Sequence, residues 1–235
     1  MIVVIGSPAY RPPDGGPGGG AGPVFAIAAA AAAAGGTVEL LGRVGEDPAG
    51  EALVLALAAA RVGHVALLRD AGRPTPVVAA RPEGESERLR PDPEGDLNGD
   101  LREAVLLALA EPEAASPARV AGEPTLDAAD LELGLRYLGD FRVVVVAEPL
   151  DAAAAAVVRD AAAFCSAQVV LVVEPGATGP AELVDATVLE SPVSDPDGRF
   201  AGLVGAYAAE LDGGRAPGEA FRAAIDRIGW EPAPA

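Results

Sequence analysis

Hydrophobic residues along this chain fall into two kinds of segment, and the two kinds alternate. Ile2–Ile5, Val143–Val146 and Val169–Val173 are short, β-branched and without polar alternation, the mark of strands covered on both faces. Val38–Leu41, ending at Gly42, reads as another short strand, as do Val65–Leu68 and Thr187–Leu189. Between them lie alanine-rich, helix-prone stretches: Gly22–Ala34, then Pro48 to about Arg61 with Leu53, Leu57 and Ala60 on one face, and Asp151–Phe164. Thr125 followed by Asp127 can cap a helix running to Tyr137, and Arg199–Leu211 and Pro217–Ile228 form a closing helix pair. This alternation predicts an α/β fold, a three-layer αβα sandwich with a mostly parallel sheet. Its sheet should hold Ile2–Ile5, Val38–Leu41, Val143–Val146 and Val169–Val173 together.

The middle of the chain breaks the pattern. Pro76–Arg81 reads as a strand between turn signals, and Arg81–Asp100 is rich in Pro, Gly and charge, as exposed hairpins and loops are. A helix near Leu101–Ala110 and a loop from Glu111 to Pro124 follow. Residues 1–235 thus read as a single domain with a small β excursion at about 76–92. Exposed strands such as Pro76–Ala80 and Arg81–Leu89 pair readily with a second copy, so a homodimer through this region is expected. The alanine runs need no special function.

Charge removes whole classes of function. There are 35 acidic residues against 17 basic ones, a formal net charge of −18, and every basic residue is arginine. Without lysine there is no Gly-Lys-Ser/Thr phosphate loop, no Schiff-base lysine and no lysine general base. Phosphate surfaces need clustered cations, and these arginines are scattered, so neither nucleic acid nor an anionic membrane is an expected partner. Cys165 is the only cysteine, which leaves no intrachain disulfide. His64 is the only histidine and sits where a helix end enters a strand, the place of a structural surface histidine. A zinc site would need carboxylates plus one of these two, an uncommon set, and no metal site is expected. Met1-Ile-Val-Val-Ile-Gly6 lacks a basic leader, and the uncharged run Gly15–Val38 has an apolar part, Val24–Ala34, too short to span a bilayer. A cytoplasmic protein is expected.

The most specific segment is Gly42-Arg43-Val44-Gly45-Glu46-Asp47-Pro48-Ala49-Gly50-Glu51-Ala52-Leu53, followed by Arg73-Pro74-Thr75-Pro76. On the residues alone it is a strand-to-helix connection, with glycines for close approach and Asp47 as a helix cap. It also resembles the G-x-V-G-x-D-x-x-G-x-x-L segment and later P-T stretch of the ribokinase (PfkB) family of carbohydrate and nucleoside kinases. Gly18-Gly19-Gly20 before an alanine-rich helix resembles that family's sugar-site loop, and these three glycines are the candidate substrate-binding residues. Phe141–Leu150 and Gln168–Gly176 look like its two central strands. Phe200–Ala206 with Gly213–Ala224 looks like its C-terminal helix pair. The resemblance implies a ribokinase-like fold with a reduced lid, ATP-dependent phosphoryl transfer to a hydroxyl, and a sugar-like ligand.

Four departures from the family pattern weigh against that chemistry. The sugar-gripping G-S-x-N-x-D pattern becomes Gly6-Ser7-Pro8-Ala9-Tyr10-Arg11, and the glycine-loop asparagine falls near Val24. The catalytic D-T-x-G-A-G-D signature aligns Asp195-Pro196-Asp197-Gly198 with G-A-G-D, so the base position is Gly198 and two carboxylates enter the anion cradle. Carboxylates there oppose the field that phosphoryl transfer needs. The first segment, from Ser7 to Pro17, leaves little room for a lid, and little more than a loop lies between Glu190 and Phe200. The expectation is therefore a degenerate, non-catalytic ribokinase-like protein with a binding, regulatory or assembly role and no cofactor. The alternative is an active small-molecule kinase using ATP and Mg²⁺, with Asp195 or Asp197 as base. A third reading, an acidic α/β hydrolase or binding domain, lacks a Gly-x-Ser-x-Gly elbow.

Overall fold

A computed structural model describes residues 1–13, 18–78 and 126–229. Six strands form one parallel sheet: β1 (Ile2–Ile5), β4 (Val38–Gly45), β5 (Leu67–Asp70), β6 (Val143–Val146), β7 (Gln168–Val173) and β8 (Thr187–Glu190). Their order is β5-β4-β1-β6-β7-β8, and every pairing is parallel. Two short strands, β2 (Ala9–Arg11) and β3 (Gly19–Ala21), pair antiparallel apart from it. Among the described residues the α-helices are α1 (Gly22–Ala33), α2 (Pro48–Ala59), α3 (Ala128–Leu138), α4 (Ala152–Cys165), α5 (Arg199–Asp212) and α6 (Pro217–Ile228).

The unpatterned strands lie where their composition requires. All eight side chains of β1 and β6 are buried. Ile2, Val4, Val143 and Val145 pack against α1, α5 and α6, whereas Val3, Ile5, Val144 and Val146 pack against α3 and α4. Alternation along a strand serves two cores at once. Burying each of these side chains is worth about 1.5–3 kcal/mol relative to exposure. The expected three-layer αβα sandwich is the observed architecture.

Several boundaries move for identifiable reasons. β4 does not end at Gly42 but continues to Gly45, because Gly42–Gly45 pairs with Leu67–Asp70. β5 accordingly starts two residues later than expected, and Val65 is exposed ahead of it. β7 is less covered than expected, with only Val170 and Leu171 fully buried. Asp127 is the N-cap of α3, in a capping box with Asp130, and Thr125 lies outside the described residues. The expected strand Pro76–Arg81 is described as far as Val78, where Val77 bridges Tyr10. The rest of the excursion at about 76–92, the lid dimer built on it, the helix near Leu101–Ala110 and the loop Glu111–Pro124 lie outside the described residues. Among the described residues, no helix is long and apolar enough to cross a membrane.

Two features join the layers. Arg43 of β4 bridges Asp70 at 3.3 Å and also the Asp130 carboxylate at the start of α3. Burial works against its charge, but Asp130, and then Asp70, outweigh burial and hold the guanidinium protonated. The alanines of α1 have a function after all. They let α5 approach so closely that a Cβ on Gly205 would stand 2.6 Å from the Ala31 nitrogen and 2.8 Å from the Ile27 carbonyl oxygen. Backbone cannot yield as a side-chain tip can. Gly205→Ala should therefore cost about 1–3 kcal/mol by overpacking, read as a lowered urea midpoint; an unchanged midpoint would contradict this close packing.

Candidate functional site

In an open parallel sheet, ligands sit beyond the carboxyl ends of the strands where the chain order reverses. Here β1 connects to β4 on one side and has β6 on the other, so the reversal lies between β1 and β6. Just past β1, Gly6 has φ +148, open to glycine and strained for other residues, and a Cβ there would stand 2.7 Å from Val24. Just past β6, Ala147 still bonds back to Ile5 at 2.9 Å, and Glu148 follows. Glu148 is 8% exposed, and its Oε2 accepts the Ser7 N–H at 2.9 Å. The reversal thus holds a buried carboxylate. Glu148 was not among the expected site residues, although a lone acid directly after an all-valine strand is a legible signal.

The remaining expected residues fall into three places. Ala9 and Arg11 lie in β2, in register with Ala21 and Gly19, with Ala9 buried and Arg11 exposed. Gly18, Gly19 and Gly20 are not an open loop: Gly19 and Gly20 belong to β3, Gly18 lies against the Tyr10 hydroxyl, and Gly20 lies against the Phe25 ring. Any Cβ on Gly18 or Gly20 would displace those side chains. Tyr10 also bonds Pro76 O and Val78 N, at 2.8 Å each, so β2, β3 and the 76–78 segment form a small flap beside the sheet edge.

The turn before α5 holds Asp195, Asp197 and Gly198. Gly198 is the N-cap of α5 with φ +66, and open space surrounds its Cβ position. Asp197 is exposed. Asp195 is half-buried and turned onto the helix, where its carboxylate accepts Phe200 N–H at 3.1 Å and Ala201 N–H at 3.0 Å. The positive end of α5 therefore already carries an anion, one supplied by the chain. The two acids and the glycine share this one turn.

The glycine motif is a joint. Asp47 caps α2 by accepting Gly50 N–H at 2.8 Å, and it also accepts the Thr75 N–H and hydroxyl, both at 2.7 Å. Buried Thr75 in turn accepts Gly45 N–H at 3.0 Å. A Cβ on Gly45 would meet Asp47 and Thr75 at 2.7 Å. Burial opposes ionisation of Asp47, but the Thr75 hydrogen bonds, with those from Gly50 and Ala49, outweigh it and hold the carboxyl below its usual range. The two sequence pieces of the motif thus meet in one network.

No family model matches the chain, and no curated protein matches it in sequence. Solved structures do match. Ribokinase of Arabidopsis thaliana, solved with ribose and ATP, superposes at a TM-score of 0.57 and 16% identity, over 97% of this chain and 90% of that one. The PfkB protein of Polaromonas sp. JS666 gives 0.56 and 14%, over 95% and 92%. The protein Sa239 gives 0.59 and 11%, over 99% and 95%. The fold is of the ribokinase type. At these identities the likeness is one of fold, and the expected resemblance stands at that level. Within the ribokinase-type fold, the Asp47–Thr75 joint holds the first helix after β4 against the flap.

A carboxyl whose folded-state pKa is depressed adds stability above the ordinary carboxylate range and loses it as pH falls through its folded value. Asp47→Ala should cost about 1–2 kcal/mol at neutral pH, and urea melts at decreasing pH should show the gap to wild type narrowing below about pH 4. A gap that stays constant into strong acid would show that the Asp47 charge adds nothing. Thr75→Val, which strips Gly45 N–H of its acceptor and Asp47 of a donor, should cost about 1–3 kcal/mol at neutral pH, the part owed to the Asp47 bond shrinking in acid.

Proposed function

We propose that this chain is a ribokinase-like protein that has left phosphoryl transfer and binds a small, sugar-like ligand in a regulatory or assembly role. The Asp195 carboxylate on the N-terminus of α5 carries this reading. Phosphoryl transfer rests on donors aimed at developing negative charge. Here two of those N–H groups are bonded to a carboxylate, and a second anion would meet Asp195 at close range. Gly198, at the position of the family's base, has no side chain to accept a proton, and loss of a general base typically costs about 10²–10⁴-fold. A helix start already bonded to Asp195 and a base position without a side chain together weigh against ATP with Mg²⁺.

The corner of Glu148 and Ser7 supports retained ligand binding. It presents a buried acceptor beside the glycine at the end of β1, in a place where hydroxyls can be gripped without any phosphate donor.

Thermal-shift measurements with ATP-Mg²⁺ and a panel of pentoses, hexoses and nucleosides test both halves. ATP-Mg²⁺ should give no shift and no turnover with any sugar. A sugar that stabilises the protein should lose that effect in Glu148→Gln. Gly198→Asp alone should not restore activity, because Asp195 still fills the anion position. Turnover of ATP that disappears in Asp195→Asn or Asp197→Asn would overturn the proposal in favour of an active kinase with a rearranged base.

A further inference from the structure

Among the described residues, β8 is an outer strand of the sheet. Beyond Glu190 the chain turns through eight residues, Ser191–Gly198, into α5 with no further strand. Among the described residues, β8 pairs only with β7. Ser191 N–H points inward, to Val173 O at 2.8 Å. Backbone direction alternates along a strand, so the N–H and C=O groups of Val188 and Glu190 point outward, away from the sheet. Side chains alternate as well. Leu189 packs toward the α5–α6 layer, and Ala186 toward the α4 layer. Val188 faces the α4 side and is 51% exposed, and Val184, at the end of the turn before β8, is 82% exposed.

Such an edge fits one shape of partner, an extended strand, whose main chain would meet those outward groups and whose alternate side chains would cover Val188. Charge selects among strands. From Asp160 to Gly198 the chain has seven acidic residues and no basic one. Asp195 is spent on α5, and one Glu190 oxygen accepts Gly176 N–H at 2.9 Å. Glu174, Asp185 and Asp197 are exposed, and Glu182 is half-buried. A second copy of this chain would set the same acids against each other. An extended segment rich in Lys or Arg would be attracted instead.

We propose that β8 is a docking edge for a basic, extended segment of another protein, which adds to the sheet as a seventh strand. This does not depend on the ligand reading above. The probe is a fluorescent peptide of alternating lysine and valine, seven residues long, with a glutamate-valine peptide as control. The lysine peptide should bind, the control should not, and raising salt from about 50 to about 300 mM should weaken binding about tenfold. Amide exchange at Val188 and Glu190 should slow about tenfold or more in the complex. Val188→Pro removes an outward N–H and leaves the β7 ladder intact, and it should weaken binding about tenfold. Should that variant fail to fold, Glu182→Arg with Asp185→Arg, which leaves the strand untouched, should weaken binding at least about fivefold. No binding, binding without protection at Val188 and Glu190, or unchanged affinity in the variants would overturn the proposal. So would a concentration-dependent dimer whose β8 amides are protected without peptide, since the edge would then belong to a second copy.

Discussion

Two strands without a polar face govern this molecule. β1 and β6 are buried on both sides, so helices must cover the sheet from above and below, and right-handed crossovers then decide which helix goes where. With β4 beside β1 on one flank and β6 on the other, the chain has to reverse direction between them. That reversal places the Gly6–Ser7 turn and Glu148 at one corner. The position of the site is thus a consequence of valine and isoleucine packing, and the polar residues there inherit it.

The same scaffold brings a helix N-terminus toward the carboxyl edge of the sheet, and what stands at that terminus sets the chemistry available. A helix start is an anion site whatever its sequence. Substituting a tethered carboxylate for a free one satisfies the N–H groups without any ligand, and it fixes the turn before α5 through two charge-assisted hydrogen bonds. A helix N-terminus can therefore serve the turn before it as readily as it can serve a ligand. The Asp47–Thr75 network shows the converse. There, motif residues hold helix, strand and flap together, and nothing about them requires a reaction.

Much of the fold was legible because β6 is four valines and the helices are capped by Asp47, Asp127 and Asp151, signals that periodicity and capping chemistry read directly. The end of β4 was not legible. Glycine argues against strand, but Gly42 packs against Pro8 and the Gly6 carbonyl, so the missing Cβ is the very thing that lets the strand continue. Gly18–Gly20 looked like a ligand loop for the same reason. Glycine marks close approach, and the sequence does not say whether a sugar or the Phe25 ring approaches. Asp195 and Gly198 were recognised as neighbours, but only coordinates could show the carboxylate folded onto Phe200 and Ala201. Glu148 needed the strand order, because its significance comes from β1 lying next to β6.

Arg43 links Asp70, at the end of β5, with Asp130, in the first turn of α3. These two acids are far apart in sequence and belong to different layers, one to the sheet and one to the helices that cover it. A single guanidinium shared between them makes the end of β5 and the start of α3 one mechanical unit, so loss of the Arg43 charge would loosen two layers together.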